Sequence, residues 1–183
     1  MRPLTLLISL TSLLTQTTTA RITGFSAPST IVPGAPIQIY LRAENYIQRV
    51  QDVAVAFGIT PTEQHYPGSL GTFVGERFLG PGMFYIHLFL LLEEVQSRLL
   101  TVVIDKTENS NIIGNITANV SIPTSRPEGS ATITAALFSL YGASLTGSLE
   151  YFAVNVTIGN KTSSEYVVSE YEPVETVEAR WRA

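Results

Sequence analysis

Side chains able to do chemistry are scarce in this chain. It has no cysteine, which removes thiol nucleophiles and thiolate metal ligands, and only two histidines, His65 and His87. His65, in the segment Glu63-Gln64-His65-Tyr66-Pro67, can be set beside Ser69 and Asp52 as a general base. No Gly-x-Ser-x-Gly elbow frames a nucleophile, however, and the residue reads as a surface-loop histidine. A pair of glycosidase carboxylates is equally hard to assemble. Asp52 and Asp105 are the only aspartates, and Glu44 and Glu76 stand alone on what read as solvated surfaces. There is no Gly-rich phosphate loop and no acidic cluster spaced for calcium. The inventory points to a protein that binds rather than transforms, without metal or cofactor.

Two other chemistries are better represented. Four asparagines, Asn115, Asn119, Asn155 and Asn160, each open an N-x-[ST] acceptor for N-linked sugar. Tyrosines beside turns offer large contact area at low entropic cost, or alternatively cap the core with their hydroxyls at its rim. Among these, Tyr46 and Tyr141 sit in two blocks, 46–49 and 138–143, that mix aromatic with polar residues. The candidate partner-binding residues are Tyr46, Ile47, Arg49, Phe138 and Tyr141.

The elements that would position these residues are strands. Ile116, Ala118, Val120 and Ile122 alternate with Asn115, Thr117, Asn119 and Ser121, so one face is apolar and the other carries two sugar acceptors. Comparable segments are read at Arg21–Phe25, around Ile37, Ile39 and Leu41, around Val53, Val55 and Phe57, and at Thr72–Leu79. Ala131–Tyr141 and Leu149–Ile158 follow. With Ile112–Ile122 that makes about seven strands separated by turn signals, the pattern of an all-β, immunoglobulin-like antiparallel sandwich.

The first twenty residues stand apart. A basic Met1-Arg2-Pro3, an apolar run from Leu4 to Leu14 and the ending Thr18-Thr19-Ala20 read as a secretory signal peptide. Cleavage between Ala20 and Arg21 then starts the mature chain at Arg21, and not at the histidine that a copper-dependent oxidase needs. Without Arg2 the formal charge moves from −4 to −5, and no basic run exists, which argues against nucleic acid and anionic membranes as partners. Residues 21–159 fit one domain held by packing alone, and it reads as a monomer. Residues 160–183 hold five glutamates and no clean period, and read as an acidic, disordered tail.

One stretch contradicts its surroundings. Residues 83–104, beginning Met83-Phe84-Tyr85-Ile86-His87-Leu88, are intensely apolar and lack Gly and Pro. A core helix, a membrane-contacting insertion and translated intron all fit. The intron reading has a specific basis: Gly82-Met83-Phe84 can encode a GTATGT donor, Leu100-Thr101 a CTGAC branch sequence, and Ile104-Asp105 an acceptor ATAG. Removal is in frame and joins Leu79-Gly80-Pro81 to Asp105. Sequencing of the mature transcript checks this, with loss of the codons for 83–104 as the expected result; a message that retains them overturns it.

Several ordered blocks carry a resemblance. Segments 46–58, 66–72, 78–81, 115–123 and 136–143 together resemble the necrosis-inducing secreted protein family of fungal effectors, over roughly residues 21–159. The resemblance implies a small secreted effector that suppresses pattern-triggered immunity in plants by binding receptor-associated kinases of the host. The apolar stretch after Gly82 and the acidic tail depart from that pattern. The rival expectation is a carbohydrate- or cell-wall-binding module, for which β-sandwiches with exposed aromatics are suited.

Overall fold

A computed structural model of the protein describes residues 19–80 and 113–173. The leader up to Thr18, the apolar stretch 83–104 with His87, and the end of the tail from residue 174 lie outside the described residues.

The regular structure of the described residues is all strand, apart from one turn of 3-10 helix at Thr62–Gln64. The strands are β1 (Thr19–Pro28), β2 (Thr30–Ile31), β3 (Pro36–Tyr46), β4 (Val50–Pro61), β5 (Thr72–Phe78), β6 (Gly114–Ser121), β7 (Gly129–Tyr141), β8 (Thr146–Ile158), β9 (Tyr166–Val168) and β10 (Glu170–Glu172). They form two sheets, one in the order β6-β3-β1-β9, the other in the order β10-β8-β7-β4-β5 with β2 added parallel to β8. Each of the seven segments read from the sequence is one of these strands. First, second and fifth of the seven pair in one sheet, while third, fourth, sixth and seventh pair in the other; this is the constant-type immunoglobulin division except that the fourth strand joins the third, sixth and seventh.

Period-two alternation generates the core. In β3, Ile37, Ile39, Leu41 and Ala43 are buried between exposed Pro36, Gln38, Arg42 and Glu44, and β6 alternates in the same way. In the facing sheet Val55, Phe57, Ile59, Ile133, Ala135, Leu137, Phe152, Val154 and Val156 supply the opposing layer. Phe25 and Phe57 meet edge to face across it, with ring centroids 5.8 Å apart.

The structure differs from expectation after Gly159. Residues 160–173, read as the start of a disordered tail, are folded: β9 pairs with β1 and β10 with β8. Both partners offer an otherwise open strand edge, and the chain crosses between the sheets at Ser169. The Ser169 amide donates to the Phe25 carbonyl at 2.8 Å, and its Oγ accepts the Phe25 amide at 2.8 Å. Val167 packs on the core. Backbone hydrogen bonding to two free edges is a driving force that hydrophobic periodicity does not register.

Candidate functional site

β3 ends at Tyr46, β7 at Tyr141, and the turn 47–49 leads into β4. Pairing of Val50 with Tyr141, and of Thr19 with Tyr46, draws these ends together at one pole of the sandwich. Four of the five residues singled out as partner contacts, Tyr46, Ile47, Arg49 and Tyr141, gather there. Ile47 is 98% exposed at the tip of the turn, Arg49 is exposed, and the Gly142 amide donates to the Arg49 carbonyl at 2.9 Å.

Below the turn lies a polar cluster. The guanidinium of Arg21 donates through Nη2 to both carboxylate oxygens of Glu150, each at 2.8 Å, and the Tyr141 hydroxyl donates to Glu150 Oε1 at 2.9 Å. The same guanidinium lies 5.3 Å from the Tyr46 ring centroid and 5.5 Å from that of Tyr141, and the two rings meet edge to face at 6.2 Å. Glu150 is buried. Burial opposes the charge on Arg21, but the hydrogen bond and charge of Glu150 outweigh it and hold the guanidinium above its ordinary value. Burial, and then the bond to Glu150 and its charge, push the Tyr141 phenol well up, so it stays a donor.

Deeper still is Asp52, with no solvent exposure. Its Oδ2 accepts the Ile22 amide at 2.8 Å and its Oδ1 accepts the Ser139 hydroxyl at 2.6 Å. Burial raises the Asp52 carboxyl above the usual carboxylate range, against the lowering effect of these two bonds. Asp52 therefore has no contact with His65, whose Nε2 instead pairs with Glu172 on β10.

Phe138 goes elsewhere. Alternation along β7 sends it to the outer face of the larger sheet, where it lies in a cross-strand row with Phe78, Ala54 and Leu149. Phe78, Phe138 and Leu149 are all exposed, forming an apolar stripe separate from the pole. A cavity of about 400 Å³ opens further along this sheet between His65, Thr132, Ala153, Asn155, Glu170 and Glu172. All four sugar-acceptor asparagines are exposed: Asn115 and Asn119 on the outer side of β6, Asn155 on β8 and Asn160 just past it. Asn155 Oδ1 accepts the Thr132 hydroxyl at 2.8 Å, a bond in which its amide nitrogen takes no part. Ala20 is buried in β1 and Arg21 half-buried beside it. Among the described residues, no group of three or more His, Asp or Glu is placed to hold a metal ion.

Comparison with known proteins fits this architecture. A family model described as the Nis1 family matches residues 18–88 and 94–157. The chain belongs to the Nis1 family. Two similar proteins are each named "Necrosis-inducing secreted protein 1". The one from Colletotrichum orbiculare is 38% identical over 152 residues, covering 83% of this chain and 78% of the relative. That from Colletotrichum higginsianum is 38% identical over 151 residues, covering 82% of this chain and 87% of the relative. The protein is thus a secreted fungal effector of a necrosis-inducing family, which is not a known enzyme family. Extracellular address agrees with the leader read at residues 1–20. The match includes the whole polar pole, from Arg21 to Glu150, whereas β9, β10 and the Glu172 contact to His65 fall beyond residue 157.

Sequence reasoning missed Glu150 and gave Arg21 only the role of a cleavage residue. A signal for Glu150 was present: it is in phase with Phe152, Val154 and Val156, the inward set of β8. The burial of Asp52 had no such signal, because a bulge between Asp52 and Ala54 resets the phase of β4.

Proposed function

We propose that the protein acts by protein–protein contact through this pole, binding receptor-associated kinases of a plant host and thereby suppressing pattern-triggered immunity, without doing chemistry itself. The observation that carries the reading is a fully exposed Ile47 held on a rigid base. An apolar side chain presented to water on a short turn gains free energy when a partner buries it. The Arg21–Glu150–Tyr141 bonds and the Gly142 to Arg49 bond beneath it limit the ordering that binding would still have to pay for. Flanking Arg49 and Tyr46 add the residue types that anchor interfaces.

Because Ile47 and Arg49 are exposed, they can be changed without touching the core. The double variant Ile47→Asp, Arg49→Glu is expected to keep the parent's melting temperature and to lose kinase capture from plant extract by about tenfold or more, the loss of a single good anchor. Undiminished capture moves the contact elsewhere. The exposed stripe of Phe78, Phe138 and Leu149 favours a second reading, a flat platform for polysaccharide. Retention on chitin, glucan or cellulose that is lost in Phe138→Ser, without kinase capture by the parent, would replace the first reading with the second.

A further inference from the structure

The pole buries two carboxylates against one cation. Asp52 has no exposure and Glu150 has 8%, and among the described residues the cation that pairs with either of them is the Arg21 guanidinium, which is committed to Glu150. Asp52 is left with two neutral donors, the Ile22 amide and the Ser139 hydroxyl. Among the described residues no ion pair joins Asp52 to a cation, and the nearby Arg21 charge favours its ionised form less than burial opposes it.

The backbone supplies a candidate. The Ile22 nitrogen is 2.8 Å from Asp52 Oδ2, and successive backbone nitrogens lie about 3.5 Å apart, so the Arg21 nitrogen is within about 6.5 Å of that oxygen. The leader reading places the new amino terminus at that nitrogen. Before cleavage it is a neutral amide. Afterwards it is an ammonium with three protons on a rotatable bond, free of the direction its amide had to keep.

We infer that Asp52, supported by Glu150, is a binding site for the chain's own mature α-ammonium, so that removal of the leader at Ala20–Arg21 completes the ion cluster beneath the Ile47 turn. The cluster then holds two carboxylates and two cations. Among the described residues the charged or titratable groups around Arg21 are Asp52 and Glu150 from the larger sheet, its own guanidinium, Tyr46 and Tyr141, and Glu44, which is opposite Arg21 on β3 and pairs with Arg42.

Packing alone predicts the reverse, which makes the inference easy to test. Thr19 and Ala20 pair with Tyr46 and Asn45, and Ala20 is wholly buried, so a chain retaining them has more strand and more core. Two full-length secreted forms are compared, one beginning at Arg21 and one at Thr19, each with Asp52 or with Asp52→Asn. N-terminal sequencing establishes each start, and secretion of the native precursor with a first residue other than Arg21 overturns the inference at once. The expected result is a melting temperature for the Arg21 form about 3–8 °C above the Thr19 form, and loss of that gap in Asp52→Asn. A Thr19 form as stable as the Arg21 form, or a gap that persists in Asp52→Asn, overturns the inference.

Should Asp52→Asn fail to fold, titration of the terminal amine decides. Facing two carboxylates, its pKa is expected above the ordinary value of about 7.7–8.0, and an ordinary value contradicts the site. With the folded value raised, the stabilisation is present below the ordinary pKa and is lost as pH rises through the raised one. The advantage of the Arg21 form should therefore shrink in alkaline buffer.

Discussion

Glu150→Ala is expected to lower the free energy of unfolding by about 3 kcal/mol, the lower end of the range for removing one member of a buried ion pair. The lower end applies because the Arg21 side chain is 28% exposed and can turn toward water, whereas that of Glu150 is 10% exposed and cannot. Three contacts end together: both Arg21 bonds and the one from the Tyr141 hydroxyl. Urea denaturation of the secreted protein measures the loss, and Tyr141→Phe, which removes one neutral-to-charged bond, should cost about 1.5 kcal/mol beside it. Glu150→Gln should fall between, since its amide oxygen can still accept from Tyr141 but offers Arg21 no charge. A Glu150→Ala loss below about 1 kcal/mol would show that the cluster is solvated rather than structural. The same variant should weaken any capture that depends on the 47–49 turn, although it leaves Ile47 in place.

How far the sequence could be read depended on which force shaped each element. Strands held by a buried apolar face were legible, because alternation reports the buried face directly: Ile116, Ala118, Val120 and Ile122 are all in the core, and Asn115 and Asn119 point out. β9 and β10 were not, since Tyr166–Glu172 is held by hydrogen bonds to the open edges of β1 and β8 and buries little. The pole was half legible. Tyr46, Ile47, Arg49 and Tyr141 do converge, but Phe138, three residues before Tyr141, goes to the opposite face because an odd spacing in a strand changes sides. The carboxylates beneath were hidden for a different reason. A buried charge is expensive, so an isolated acidic residue reads as surface until its partner is known, and Arg21 lies 129 residues from Glu150.

Gly58→Ala is expected to cost roughly 3 kcal/mol or more, at the upper end of what overpacking does, because what the new methyl meets is backbone. A Cβ at Gly58 would sit 1.8 Å from the Leu70 carbonyl oxygen and 2.7 Å from its carbonyl carbon. The chain between the end of β4 and the start of β5 comes down onto the outer face of β4 at this point, then turns at Gly71, whose φ of +69° lies in the left-handed region that glycine adopts most readily and where a Cβ would lie 1.9 Å from Thr60 Oγ1. That descent brings His65 to Glu172 and the Gly68 amide within 3.4 Å of the same carboxylate. Lifting Leu70 by the ångström or more that a methyl requires should therefore release β10 as well, and with it the end of the chain crossing at Ser169. Hydrogen exchange is the discriminating measurement: amides of residues 62–71 and 166–172 should lose protection together, while those of β3 and β6 in the other sheet keep theirs. Gly147→Ala is the matched control, since its Cβ would approach only the edge of the Phe138 ring, at 3.1 Å, and an exposed ring can rotate away. If Gly58→Ala melts with the parent and leaves residues 166–172 protected, the loop and β10 are independent.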